Sequence, residues 1–258
     1  MLCPKCNCSM VLKNDRKLSD GITWYCGKRT NNSSVCYASK TIRVSSWFSK
    51  SKLTIAEIFV LTYDVLKKIG TSKIIKEYGF GSNTMASWSQ CIRETILEYI
   101  EMNSQMIGGP GKTVEIDESK FGKRKYHRGH HVEGQWVFGG VERDSGDSFF
   151  VAVHDRTAQT LISVIQEWIR PGTTTISDCW KAYRSLDTLG FDHLTVNHSI
   201  SFVDEITGAH TNTIEGTWRH IKTQLPQYNR NGDFALYLAE YMFSKQCAVK
   251  ELDMNTKF

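Results

Sequence analysis

No apolar run in this chain approaches the roughly 20 residues needed to cross a bilayer. The opening residues, Met1-Leu2-Cys3-Pro4-Lys5-Cys6, contain no apolar core of the kind a secretory signal carries. No internal repeat and no low-complexity tract interrupts the sequence, and histidine is absent until His127. These absences exclude a membrane-spanning helix and point to an intracellular protein, in which disulfides are not expected.

What is present fits a globular protein. The 258 residues suffice for one mid-sized domain and one or two small ones. The formal net charge of +5 permits nucleic-acid binding without requiring it. Five of the eight cysteines, Cys3, Cys6, Cys8, Cys26 and Cys36, fall in the first 36 residues. In a reducing compartment such clustering points to metal. Cys3 and Cys6 have knuckle spacing, and Cys26 and Cys36 supply a second pair, although nine residues separate them. With no histidine nearby, a zinc ion here takes an all-cysteine set or borrows a carboxylate. Cys8 is the spare and replaces Cys6 if the knuckle slips. Four thiolates leave no open position, so the zinc is structural. The bland alternative is a flexible tail of unpaired thiols. Cys91, Cys179 and Cys247 read as small hydrophobes.

Three regions follow from texture. Residues 1–48 are polar and cysteine-bearing, too short to fold without a staple. Residues 49–107 read as helical: Leu53, Ile55, Ile58, Phe59, Leu61, Thr62 and Leu66 form a stripe ended at Ile69-Gly70. A short second helix, capped by Ser72, stops at Tyr78-Gly79, and a third starts at Ser82 or Asn83. This is either a helix-turn-helix or a plain three-helix bundle. Lys28, Arg29, Lys40 and Arg43, interleaved with Trp24, Tyr25, Trp47 and Phe48, suit DNA backbone contact or a solvated surface equally. After the linker at 108–111, residues 112–258 read as strands at 113–116, 135–141, 148–153, 173–176 and 193–196. Helices are expected through 161–168, 179–186, 212–224 and 234–249. That order is α/β with a mixed sheet, the order of a ribonuclease-H-like core.

Two acids stand at the ends of apolar strands, Asp117 after Ile116 and Asp178 after Ile176. Glu215 lies early in a helix whose apolar face is marked by Trp218 and Ile221, with Lys222 two turns along. Phosphodiester chemistry by two magnesium ions needs carboxylates on rigid elements. Each acid also has a structural reading. Glu215 completes a capping-box-like pattern from Asn212, and Asp178 suits the N-cap of the helix after it. Glu115 and Glu118 compete with Asp117 but alternate with it along the strand. The stretch Lys120, Lys123, Arg124, Lys125, His127, Arg128, His130 and His131 carries five formal cations and no acid, which suits a phosphate-rich substrate better than a bare loop.

The segments Val114 to Lys125, Ser177 to Tyr183 and His210 to Trp218, in that order, resemble the Merlin superfamily of DNA transposases and its bacterial insertion-sequence relatives. The resemblance covers almost the whole chain, including an N-terminal zinc ribbon. It implies a DNA transposase that binds terminal inverted repeats, cuts DNA and joins 3′-hydroxyls to target DNA. Asp117, Asp178 and Glu215 would be the catalytic acids, holding Mg2+ or Mn2+. His210 and Asn212 would support the site, Lys222 would contact DNA near the cut, and Zn2+ would sit at Cys3, Cys6, Cys26 and Cys36. A homodimer or larger assembly on double-stranded DNA is implied, in the nucleus of a eukaryote or the cytoplasm and nucleoid of a bacterium. Two departures stand out: the wide second cysteine pair, and a chain that ends soon after its last helix. The competing expectations are a decayed transposase that only recognises DNA, and a zinc-ribbon nuclease or resolvase that hydrolyses without joining.

Overall fold

The computed structural model describes residues 1–29, 35–122, 134–200, 202–225 and 234–258. The chain forms two compact units, Met1–Ala86 and Ser87–Phe258.

In the first unit, β1 (Val11–Asn14), β2 (Ile22–Tyr25) and β3 (Ser39–Thr41) form an antiparallel sheet in that order. Such a small sheet has little to bury. Its core is Cys3, Met10, Cys26, Cys36 and Ala38, with Cys6 and Trp24 packed against it. A buried ion pair adds to this. Arg43 donates to both carboxylate oxygens of Asp20, and to the carbonyls of Ser51 (2.7 Å) and Leu53 (2.6 Å). The Arg43 guanidinium beside Asp20 holds the Asp20 carboxyl below its ordinary value. Arg43 is therefore an internal staple, not part of the DNA-facing cation set that its spacing among aromatics suggests.

α1 (Ile55–Leu66) opens on a capping box: Glu57 N–H donates to Thr54 Oγ1, and the Glu57 carboxylate accepts from Thr54 N–H. The helix ends at Leu66, three residues before the expected stop, and Lys68 is left-handed (φ 57°). Phe59, read as part of the buried stripe, is 70% exposed, while Ile58 and Leu61 are buried. α2 (Thr71–Tyr78) starts from Gly70 without a side-chain cap, so Ser72 lies inside it, and ends at Gly79 (φ 73°). α3 (Ser82–Asn103) runs across the boundary between the units.

The second unit continues with β4 (Ile107–Gly108), β5 (Thr113–Phe121), β6 (Gln135–Glu142), β7 (Ser148–Val153), α4 (Ala158–Trp168), β8 (Ile169–Arg170), β9 (Thr174–Asp178) and β10 (Asp192–Val196). It closes with α5 (Asn212–Gln224), α6 (Phe234–Val249) and α7 (Met254–Lys257). The main sheet has the order β10-β9-β5-β6-β7. β5, β6 and β7 are an antiparallel meander, while β9 and β10 pair parallel on the other side of β5. A mixed sheet of this order and polarity is a ribonuclease-H-like core. β4 and β8 pair separately.

Both faces of the sheet are covered. On β7, Phe149 stacks on Trp168 of α4 (5.3 Å), and Phe150 meets Trp218 of α5 (5.2 Å) and Tyr241 of α6 (5.6 Å). Consecutive strand residues point to opposite faces, so this aromatic pair anchors a helix on each. Space for both rings comes from β6. A Cβ on Gly139 would lie 2.5 Å from the Phe150 ring, and one on Gly140 would lie 2.5 Å from Phe149. α6 is tied to α3 by Arg93–Glu240 (2.9 Å) and by Tyr99 against Phe243.

Two local readings change. β5 runs on to Phe121, so Asp117 lies within the strand. Residues 179–186, expected as a helix, hold a single 3-10 turn at Lys181–Tyr183, and a second follows at Asp187–Leu189. Side chains compete with helix here: Trp180 N–H donates to Asp178 Oδ1 (3.0 Å), and His193 N–H to Asp187 Oδ1 (3.1 Å). Among the described residues, no helix is long and apolar enough to cross a membrane.

Candidate active site

Strand register brings Asp117 and Asp178 to the same end of the sheet. Glu115 on β5 pairs with Ile176 on the parallel neighbour β9. Two residues further along each chain stand Asp117 and Asp178. With a side-chain period of two, both follow their partners onto the face covered by α5. Across the antiparallel pair, Asp117 lies opposite Gly139, the glycine that leaves room for the Trp218 ring. Trp218 uses that room to donate its indole N–H to Asp117 Oδ2 (2.9 Å). The seating of Trp218 and its hydrogen bond to Asp117 thus both depend on Gly139, a strand glycine whose role is not readable from periodicity.

Asp117 is electrostatically uncomfortable. Burial, followed by the Glu118 and Asp178 charges, pushes its carboxyl up to about 7, despite opposing hydrogen bonds from Trp218 and the backbone. Glu118 is also raised, by burial and then by Asp178, while Tyr183 and Arg156 draw it down. The sign of the consequence is clear. An unfolded Asp117 ionises near 3.8, whereas the folded one holds its proton to about 7. Folding stability therefore falls as pH rises through that window, and the penalty is complete above it. Asp117→Asn is expected to raise the metal-free Tm at pH 8 by several degrees, about 2–4 °C per kcal/mol relieved in a chain of this size. No gain is expected at pH 4. Paired thermal melts at the two pH values check this.

Glu215 occupies the first turn of α5 and accepts from Thr211 Oγ1 (3.0 Å). Thr211 Oγ1 also meets His198 Nε2 (2.9 Å), and His198 lies 3.5 Å from Glu215 Oε1. The capping-box alternative for Glu215 does not form, because the N-cap is Thr211 and makes no side-chain cap bond. The cap comes from β5 instead. Glu115, fully buried, accepts from the N–H groups of Thr213 (2.9 Å) and Ile214 (3.0 Å) and from Thr213 Oγ1 (2.9 Å). Arg143 donates to Glu115 (2.7 Å) and to the His210 carbonyl (2.7 Å). Glu115 therefore shares the face of Asp117, two residues along the same strand, instead of alternating with it. Glu118 does alternate, and bonds Tyr183 and Arg156 on the other face. Sequence reasoning passed over Glu115, Arg143, Trp218 as a hydrogen-bond donor, and His198. The capping-box-like pattern at Asn212 hid the need for an outside acceptor, so no local signal marked Glu115.

The remaining candidates are dispersed. His210 Nδ1 lies 3.4 Å from Glu115, is buried beside the helix start and has no hydrogen-bond partner among the described residues. Asn212 is exposed at the first residue of α5. Lys222 lies on α5 with its ammonium 5.5 Å from the Phe121 ring, and Lys120 on β5 lies 5.4 Å from the Trp136 ring. Lys123, Arg124, Lys125 and Arg128 fall outside the described residues.

The cysteines assemble in the first unit. Sγ atoms of Cys3, Cys6, Cys26 and Cys36 all lie within 4.8 Å of one another, the one such ligand group among the described residues. Tetrahedral zinc with Zn–S near 2.3 Å requires sulfurs about 3.8 Å apart. Cys3–Cys36 is 3.7 Å and Cys6–Cys26 is 3.4 Å, so the set fits the ion. The two ends of the nine-residue gap are held together: Arg29 pairs antiparallel with Val35, and Cys36 N–H donates to the Lys28 carbonyl. Cys8 stays out, its thiol donating to the Cys6 carbonyl. Four thiols this close cannot all ionise alone. Against burial, amides of Lys5 and Cys6 lower Cys3 to about 6; against the Lys28 amide, burial and the other sulfurs push Cys26 up to about 12. A cation would remove that conflict. The carboxylates Asp117, Asp178 and Glu215 do not form so tight a group, but their oxygen chemistry suits magnesium or manganese.

A family model described as the ISXO2-like transposase domain matches residues 95–244, a span that holds all three acids. A transposase-like protein of Haemophilus influenzae is 31% identical over 94 residues, which cover 36% of this chain and 75% of that protein. Among solved structures, the catalytic core domain of BIV integrase is similar with TM-score 0.36 and 17% identity, over 52% of this chain and 84% of that one. The HTLV-2 integrase catalytic core domain in complex with magnesium is similar with TM-score 0.35 and 18% identity, over 52% and 86%.

Proposed function

This chain belongs to the ISXO2-like transposase family, and from that premise we propose that it is a DDE transposase, cutting DNA at transposon ends and joining the 3′-hydroxyls to target DNA. The observation that carries this reading is the register of β5 and β9, which pairs Glu115 with Ile176, two residues before Asp117 and Asp178, while α5, seated on Glu115, bears Glu215 in its first turn. Water would open the phosphodiester at the element end, leaving a 3′-hydroxyl. That hydroxyl would then attack a target phosphodiester, forming one ester bond as another breaks. Magnesium or manganese, held by Asp117, Asp178 and Glu215, would supply charge neutralisation for attacking and leaving oxygens.

The chain's own residues would prepare the site. Trp218 orients Asp117, and the Glu115–Arg143 pair seats the helix carrying Glu215. Lys120, Lys123, Arg124, Lys125 and Arg128 would neutralise phosphates, and Lys222 would reach DNA close to the cut. His210 and Asn212 lead into α5 as supporting residues. We assign residues 1–48 as a zinc ribbon, 49–107 as a helical DNA-binding region that recognises the terminal inverted repeats and 112–258 as the catalytic domain, working as a dimer or larger assembly that holds two ends.

Zinc at Cys3, Cys6, Cys26 and Cys36 would stabilise the first unit in place of a large core. Purified protein is expected to contain about one zinc per chain, and Cys26→Ser to lose both the metal and the fold of that unit. Elemental analysis beside hydrogen exchange checks it; a metal-free protein that protects the same amides would sink the assignment.

The test of function is a joining assay with verified element ends, purified protein and magnesium, beside a chelated control. Joined product that requires the metal supports the transposase. Hydrolysis without joining assigns a nuclease or resolvase, and binding without cleavage assigns a recognition protein.

A further inference from the structure

At the sheet end that carries the acids, three large side chains form a ladder for which the proposed chemistry has no use. The Arg156 guanidinium lies 3.9 Å from the Trp136 ring centroid and 4.8 Å from that of Trp180. Lys120 adds its ammonium to Trp136 at 5.4 Å. Arg156 is held in place by Glu118 (3.4 Å), whose side chain is only 4% exposed. Trp180 is fixed at its backbone, where its N–H donates to Asp178 Oδ1 (3.0 Å). Yet its indole remains 41% exposed, in a protein that buries Trp88 and Trp218 below a tenth.

The exposed indole, which lies against the Arg156 guanidinium two residues from Asp178, offers a flat surface on which another ring can stack. Base–aromatic stacking tolerates any sequence, because every base presents a π-face, and a guanidinium behind the ring strengthens it. A duplex keeps its bases stacked inside, so the occupant must be unpaired. We propose that Trp180, backed by Arg156 and Trp136, is a stacking site for an unpaired nucleobase next to the scissile phosphate. It would hold the base of a frayed or overhanging nucleotide while the adjacent phosphate lies against Asp178. This rests on the transposase reading, because a base is brought here only if DNA is the substrate.

The test uses full-length protein, calcium in place of magnesium, and two probes that share one verified element-end sequence. One is a blunt duplex and the other carries a three-nucleotide overhang with 2-aminopurine at its first unpaired position. Wild type is expected to bind the overhang more tightly and to quench its fluorescence. Trp180→Ala should lose about tenfold in overhang affinity, within the range for one stacked base, together with the quench, while blunt-duplex affinity stays put. Trp180→Phe should keep most of both, and circular dichroism checks that each variant folds. An overhang bound and quenched equally by wild type and Trp180→Ala overturns the site. So does an equal loss on both probes, which would mark a general structural or electrostatic role. If wild type binds the blunt duplex but shows no overhang preference, the site falls and the transposase reading stands. If wild type binds neither probe, both fall.

Discussion

Asp178→Ala is expected to abolish DNA cleavage and joining, by about three orders of magnitude or more, while binding to element ends changes little. A group that stabilises transition-state charge costs about 100- to 1000-fold when lost, and a metal-holding carboxylate is asked for at least that. The side chain has few structural duties to confuse the result. Asp178 is partly exposed, and among the described residues its side chain accepts only from the Trp180 amide, within an exposed turn. Its loss also removes a repulsion, since its charge helps raise both Asp117 and Glu118. The variant should therefore fold at least as stably as wild type, so lost turnover could not be blamed on unfolding. A strand-transfer time course with magnesium, with a melt on the same samples, reads both. Joined product at near wild-type rate would remove Asp178 from the catalytic set.

The parts legible in the sequence are those that depend on local pattern. Alternation on β6 and β7, helical spacing in α4 and α5 and the glycine stop at Tyr78-Gly79 all reappear as elements. The element order identified a mixed sheet, and the three motifs pointed to the right family. What failed had tertiary causes. Asp117 looked like a strand terminus because the apolar run stops at Ile116, but pairing with β6 carries β5 on to Phe121. Arg43 looked like one surface cation among several, because Asp20, 23 residues away, supplies its partner. Asn212 to Glu215 looked like a self-contained cap, whereas its acceptor comes from Glu115, about a hundred residues earlier. Side chains satisfied across such separations leave no local pattern to read.

That long-range cap makes Glu115 the residue whose loss should cost the most stability. Glu115→Ala is expected to destabilise the second unit by about 3–5 kcal/mol, the range for breaking a buried ion pair from one side. The truncation strands the Arg143 guanidinium and leaves two amides of the first turn of α5 without their acceptor. Glu115→Gln separates charge from shape. Its amide oxygen can still accept from Thr213 and Ile214, while the ion pair with Arg143 is gone, so its cost should be nearer 1–3 kcal/mol. Removing both charges, in Glu115→Gln with Arg143→Gln, should cost less than the sum of the single changes, because neither charge is then left unpaired. Urea unfolding followed by tryptophan fluorescence measures all four variants, Arg143→Gln alone included. Activity should follow geometry more steeply than stability does. Glu115 holds the turn that carries Glu215, and Trp218, three residues beyond Glu215, holds Asp117. A shift of about 1 Å at a reacting centre costs about a hundredfold in rate. The folded fraction of Glu115→Gln should therefore cleave far more slowly and need more magnesium for half-maximal rate. Glu115→Ala that melts and cleaves like wild type would show that α5 is seated without this clamp.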